Sequence, residues 1–134
     1  MTCEATCEEN QLIADPRLAD AIQLFNSGQW YACHDRFEEL WHETAGPMRP
    51  VLQGILQVAV AHLHLEQGNL RGATILLGEG LGRLQVSPTL ALGLDLEDTK
   101  TSVRRRLVAL QAGEDPSKLP PPRLLSARTR SQDP

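Results

Sequence analysis

The sequence predicts an all-α fold, a compact bundle of about five helices around one central apolar helix. Apolar residues recur at helical spacing in several segments between residues 15 and 113. Glycine, proline and asparagine separate these segments, at positions where helices commonly begin or end. No segment alternates apolar and polar residues in the way a half-buried strand does.

A single folded domain is expected. The chain has 134 residues, which is close to the common size of one domain. Its composition, 41% hydrophobic and 22% charged, is that of an ordinary globular protein that folds without metals or disulfides. The pattern divides the chain into a flexible amino terminus of residues 1–14, a helical domain of residues 15–113, and an extended tail of residues 114–134 that is rich in proline and arginine.

The first two helices have clear boundaries. The first is predicted to begin at Asp15 and Pro16, because aspartate accepts from the free amides of a helix and proline suits its first turn. It ends at Gly28, and the second helix follows directly and continues to Gly46 and Pro47. The apolar stripe of the second helix consists of Trp30, Cys33, Phe37, Leu40 and Trp41.

The third predicted helix, residues 50–67, is apolar around nearly its whole circumference, so it should be the central and most buried one. Gly68 and Asn69 end it and cap a fourth helix, which gives a helical hairpin. After a connection over residues 87–93, a last helix is predicted over residues 96–112. Four glycines inside the fourth helix indicate either close approach of a neighbouring backbone or local flexibility: Gly72, Gly78, Gly80 and Gly82.

The cellular location is expected to be the cytoplasm. The first nine residues lack the basic and apolar pattern of a secretory signal. The longest uncharged run, residues 50–65, is too short to cross a bilayer, so no membrane association is expected. Cys3, Cys7 and Cys33 are an odd number, which indicates free thiols rather than a disulfide framework.

Charge is distributed unevenly along the chain. Residues 1–46 hold nine acidic and two basic side chains, whereas residues 100–134 hold three acidic and eight basic ones. The basic end, which includes Arg104, Arg105 and Arg106, has no aromatic residue on which a base could stack. Nucleic-acid binding is therefore not expected, and the basic run is interpreted as a solvated helix face that leads into the tail.

Polar side chains occupy positions that should be apolar on two helices. Helical projection places His34 and Glu38 on the inner face of the second helix or at its border. The same projection lines up four polar residues along one edge of the third helix and its start: Arg49, Gln53, Gln57 and His64. Because buried polar groups need partners, we expect the two edges to pack together. The predicted ligand-binding or structural cluster consists of His34, Glu38, Trp41, Arg49, Gln53, Gln57 and His64.

Residues 25–34, continued by Glu38 and Trp41, resemble a family signature in which a histidine is followed by a glutamate four residues on and by a tryptophan. A second resembling block consists of Arg49, residues 52–54, Gln57 and residues 68–73. The family is catalogued as domain of unknown function 309, and the similarity covers residues 18–112. It implies a compact helical fold and no activity, since the family has no established one. The family often has glutamate directly after the histidine, where this chain has Asp35.

Several functions are compatible with the cluster. A small anionic or amide-bearing ligand would use Arg49 as its charge partner, the glutamines as orienting groups, and Trp30 or Trp41 as a wall. A mononuclear metal site would use His34, Glu38 and His64. A purely structural hydrogen-bond network, or a helical module that binds a protein partner, is the alternative. The patterns of zinc proteases and di-iron bundles are not met, and no catalytic residue, cofactor or oligomeric state is indicated.

Overall fold

The computed structural model describes the backbone of residues 3–127 and the side chains of residues 7–127. This part of the chain contains six helices, one more than expected, and three two-residue strands, so the predicted all-α class is confirmed. The helices are α1 (Cys3–Ala14), α2 (Pro16–Asn26), α3 (Trp30–Glu43), α4 (Arg49–Glu66), α5 (Leu70–Gln85) and α6 (Glu97–Gln111). The strands are β1 (Leu90–Ala91), β2 (Leu94–Asp95) and β3 (Leu125–Ser126).

Local sequence signals set the ends of α2 to α5. The side chain of Asp15 accepts a hydrogen bond of 2.9 Å from an amide in the first turn of α2. Asn69 does the same for α5 at 3.0 Å. Gly28 and Gly68 have φ angles of +73° and +77°, the left-handed region in which glycine lets the chain leave a helix. The predicted boundaries of these helices are therefore confirmed to within about two residues.

Helix α4 is the centre of the fold, as predicted. It packs against both α3 and α5, and half of its length is buried. Its most buried large side chains, none more than 1% exposed, are Val51, Leu52, Ile55 and Val58. They share one core with fully buried aromatic and leucine side chains of the neighbouring helices, among them Phe25, Phe37, Leu77 and Leu84. Within residues 3–127, none of the helices combines the length and the apolar character needed to cross a bilayer.

Close packing of α4 against α5 depends on two glycines. A Cβ at Gly80 would lie 2.9 Å from the carbonyl oxygen of Gly54, and a Cβ at Gly54 would lie 3.1 Å from the side chain of Leu84. The predicted close approach of two backbones is thus confirmed at Gly80. At Gly78 and Gly82 it is wrong, because a Cβ there would meet nothing within 4 Å.

The prediction that regular structure begins only after residue 14 is wrong, because α1 precedes it. Helix α1 has no long apolar stripe, and polar contacts hold it. The Glu8 carboxylate accepts hydrogen bonds of 2.7 and 2.8 Å from two amides of the loop between α3 and α4. The Glu9 carboxylate accepts one of 2.7 Å from the amide of Leu92, and Leu12 is buried. Carboxylates that bind distant amides leave no periodic signal in the sequence, so the helix was not predicted.

The three strands were not predicted either. Strand β2 lies between β1 and β3 in an antiparallel sheet. The predicted extended tail instead contains a 3₁₀ turn (Pro116–Lys118) and β3. The side chain of Asn26 binds both the amide and the carbonyl of Leu124, at 2.7 and 2.9 Å, and Leu124 is buried. Residues 128–134 of the predicted tail lie outside the described residues, and the domain boundaries drawn from the sequence stay a prediction.

Candidate functional site

Two ring contacts align α3 and α4 as antiparallel neighbours. At one end, the guanidinium carbon of Arg49 lies 4.1 Å from the centre of the Trp41 ring. At the other end, the ring of His62 stacks on Trp30 with centroids 4.4 Å apart. This alignment places Gln53 of α4 at about the height of Glu38 of α3. We define the α3–α4 strip as His34, Glu38, Trp41, Arg49 and Gln53.

His34 and Glu38 are adjacent at one end of the strip. The Nε2 atom of His34 lies 3.5 Å from the Glu38 carboxylate, one helical turn away. The two side chains are 25% and 45% exposed, so both lie at the border of the core. The sequence predicted this position for Glu38, whereas it predicted that His34 would point inward. The Nδ1 atom of His34 lies 3.1 Å from the Asp35 carboxylate. The orientation is not that of a hydrogen bond, and the buried Nδ1 atom has no hydrogen-bond partner among residues 7–127.

Trp41 and Arg49 form the other end. The half-buried guanidinium of Arg49 stacks on Trp41. Its Nη1 atom donates to the backbone carbonyls of Trp41 and Thr44, at 2.9 and 3.1 Å. Both carbonyls lie at the carboxyl end of α3, where a cation is favoured by the helix dipole. Arg49 forms no ion pair with a carboxylate of residues 7–127, and the indole Nε1 of Trp41 is buried without a hydrogen-bond partner there.

The remaining two predicted cluster residues point to other partners. Gln57 donates to the carboxylate of Glu79 and accepts from Nε of Arg83, both at 3.0 Å and both on α5. His64 contacts the side-chain amide of Asn69 at 3.1 Å, at the exposed start of α5. Among the side chains that the structure describes, no hydrogen bond joins either residue to His34 or Glu38. The structure therefore brings together two pairs of the predicted cluster, not all seven residues.

A buried polar residue that the sequence reasoning missed is His62. It is 3% exposed, and its Nδ1 donates to the carbonyl of Val58 at 2.8 Å. Its Nε2 has no partner in the described part of the chain. Burial lowers the pKa of His62 from 6.5 to about 4, the hydrogen bond to Val58 opposes this change, and the nearby positive charge of Arg106 adds to it. The sequence signal that could have identified His62 as a buried residue is its position on the most apolar face of α4.

A metal centre is not supported by the side chains that the structure describes. They contain no group of three His, Cys, Asp or Glu residues close enough to hold a metal ion. The predicted metal set of His34, Glu38 and His64 is not assembled, since His64 lies with Asn69 at the start of α5. Cys33 is no substitute, because its buried thiol has a pKa that burial raises to about 12.

The strip lies within a segment that matches a known protein family. Residues 18–76 match the family model described as a domain of unknown function, DUF309. Over these residues, the chain is similar to the DUF309 family. The DUF309 match covers most of α2, all of α3 and α4 and the first part of α5, so it includes every residue of the α3–α4 strip. It ends at residue 76, before the expected limit at residue 112. Comparison with curated proteins found no match.

Proposed function

We propose that this helical chain is a non-catalytic binding domain, and that its α3–α4 strip binds a small carboxylate-bearing ligand. The observation that carries the proposal is Arg49, a cation held in a fixed orientation without an anionic partner among residues 7–127. The domain would work in the cytoplasm, where a thiol such as that of Cys33 stays reduced.

The orientation of Arg49 favours a planar anion. Two carbonyls hold one guanidinium nitrogen, and the Trp41 ring covers one face of the group. The remaining N–H groups are left to donate in a forked arrangement that matches a carboxylate. Because the side chain is already ordered, a ligand would bind without a large loss of side-chain entropy.

The other residues of the strip suit recognition of a neutral or cationic part of the same ligand. Gln53 is partly buried on α4, where its amide can both donate and accept. Glu38 keeps almost half of its side chain in solvent, next to His34. A ligand with a carboxylate at Arg49 and a donor group towards Glu38 would therefore complement both ends of the strip.

A structural role for the same residues predicts different behaviour. In that case Arg49 only caps the carboxyl end of α3, and the pair of His34 and Glu38 only links two turns of one helix. A capping arginine needs no further anion. Saturable binding of a carboxylate at Arg49 would distinguish the two roles.

The fluorescence of Trp41 provides the test. The chain has two tryptophans, so a Trp30→Phe background leaves Trp41 as the sole reporter. Sodium acetate and N-acetylglycine are titrated against sodium chloride at equal ionic strength. We expect a saturable change with the carboxylates, which Arg49→Gln abolishes and Arg71→Gln, at an exposed position on α5, leaves intact. The fluorescence of the Arg49→Lys protein should respond weakly, because lysine keeps the positive charge but cannot donate two parallel hydrogen bonds to a carboxylate.

Two results would contradict the proposal. The first is a response that does not saturate or that chloride reproduces, which would show only an ionic-strength effect. The second is an equal response in the Arg49→Gln and Arg71→Gln proteins. Circular dichroism of each variant establishes that its helices are intact before the titration is interpreted.

A further inference from the structure

A groove runs between the outer face of α6 and the 3₁₀ turn (Pro116–Lys118). Its volume is about 630 Å³. The groove lies outside the segment that matches the family model, and none of the α3–α4 strip residues lines it. An inference about this groove is therefore independent of the function proposed above.

The floor of the groove is apolar. Val108 is 57% exposed, which is high for a valine on a helix that packs against the core. The buried Ala109 and the partly exposed Leu119 also line the groove. An exposed apolar surface inside a groove is typical of a place where a partner side chain is buried.

The rim of the groove carries three cations, Arg104, Arg105 and Lys118. All three are exposed, and none forms an ion pair with a carboxylate of residues 7–127. Arg17 and Arg36 behave differently, since each pairs with at least two carboxylates. The charges of Arg104 and Arg105 are therefore available to a partner. Lys118 also interacts with the Asp115 carboxylate and helps to lower its pKa.

The far end of the groove is acidic and firmly held. Glu114 and Asp115 lie there. The Asp115 carboxylate accepts hydrogen bonds of 2.9 and 2.7 Å from the amide and hydroxyl of Ser117 and so fixes the 3₁₀ turn. The carbonyl of Leu119 accepts a hydrogen bond of 2.8 Å from the buried Arg106. The 3₁₀ turn and its connection to α6 are thus held in place without a bound partner.

We propose that this groove docks a short acidic and apolar segment of a protein partner. Carboxylates of the segment lie against Arg104 and Arg105, and a leucine-like side chain covers Val108. The acidic end at Glu114 repels further carboxylates, which sets the direction of the segment. A nucleic acid fits less well, because the groove has no aromatic side chain for base stacking and two carboxylates that repel phosphates.

The test uses the intact chain and a fluorescently labelled capped hexapeptide with carboxylates at one end, Glu-Glu-Glu-Leu-Leu-Ser, and binding is followed by fluorescence anisotropy. A peptide with glutamine in place of every glutamate is the uncharged control. We expect saturable binding of the acidic peptide and at least about tenfold weaker binding of the glutamine peptide. Arg105→Glu should weaken binding of the acidic peptide at least about tenfold, whereas Arg71→Glu on α5 should change it less than about twofold. Val108→Ser should weaken it several-fold without changing its salt dependence.

Three outcomes would overturn the proposal. One is the absence of saturable binding up to about 1 mM acidic peptide. Another is equal weakening by Arg105→Glu and Arg71→Glu, which would indicate unspecific attraction to a cationic surface. The third is tighter binding of a labelled oligonucleotide, or of vesicles with anionic headgroups, than of the acidic peptide. Because Arg49 is unchanged in all these variants, failure here leaves the carboxylate titration of the α3–α4 strip unaffected.

Discussion

Acidification should destabilise the protein through His62. The ring is 3% exposed, lies against Trp30 and donates through Nδ1 to the carbonyl of Val58. The neutral ring therefore carries its proton on Nδ1, and the second proton would have to enter a buried position at Nε2. The positive charge of Arg106 opposes that protonation further.

The direction and the size of this loss of stability follow from the pKa values of His62 in the folded and the unfolded chain. In the folded chain the pKa is about 4, and in the unfolded chain it is 6.5. Between these values the unfolded state binds more protons, so stability is complete above pH 6.5 and falls as the pH drops towards 4. The full loss is about 3 kcal/mol, of which about 2 kcal/mol should be lost by pH 5.

Urea unfolding at pH 7, 6 and 5 measures this loss. His62→Phe removes the titrating group and keeps an aromatic ring against Trp30, so its stability should change much less over the same range. His42→Phe, at an exposed position on α3, is the matched control and should behave like the natural sequence. Parallel pH dependence of the natural and His62→Phe proteins between pH 7 and 5 would refute the reasoning, as would a His62 titration near pH 6.5 in the NMR spectrum.

Two further predictions concern the buried face of α4 and its packing against α5. Leu56→Ala should lower the free energy of unfolding by about 2 to 5 kcal/mol, because this α4 side chain is buried, and a loss well below 1 kcal/mol would show that α4 is not central. Gly80→Ala should lower the free energy of unfolding by about 1 to 3 kcal/mol, since its Cβ would meet the Gly54 carbonyl at 2.9 Å. Gly78→Ala should raise the free energy of unfolding by up to about 1 kcal/mol, because its Cβ would meet nothing within 4 Å. Equal effects at the two glycines in thermal unfolding would contradict the close α4–α5 packing.

The sequence could predict the helices whose ends carry their own signals. Asp15, Gly28, Gly68 and Asn69 act through local backbone geometry, so α2 to α5 were predicted with nearly correct boundaries. Helix α1 was not predicted, because Glu8 and Glu9 hold it through amides far away in the chain. Strands of two residues are too short to show an alternating pattern.

The candidate site was predictable only where neighbours in sequence are neighbours in space. His34 and Glu38 pair because they lie one helical turn apart on α3. Helical projection of α4 placed Gln57 on the same edge as Gln53, but it could not show that α5 lies on that side and binds Gln57. His62 was missed for a related reason, since a histidine among apolar residues gives no sign of the aromatic ring that will cover it.

The stability of the His34→Gln and Glu38→Gln variants tests most directly whether the α3–α4 strip is a binding surface or a structural network. Both side chains reach solvent, so binding residues should be replaceable at little cost to the fold. We expect the free energy of unfolding in urea at pH 7 to stay within about 0.5 kcal/mol of the natural sequence or to rise. A loss of more than about 2 kcal/mol in either variant would show that a structural partner has been orphaned and would contradict the account.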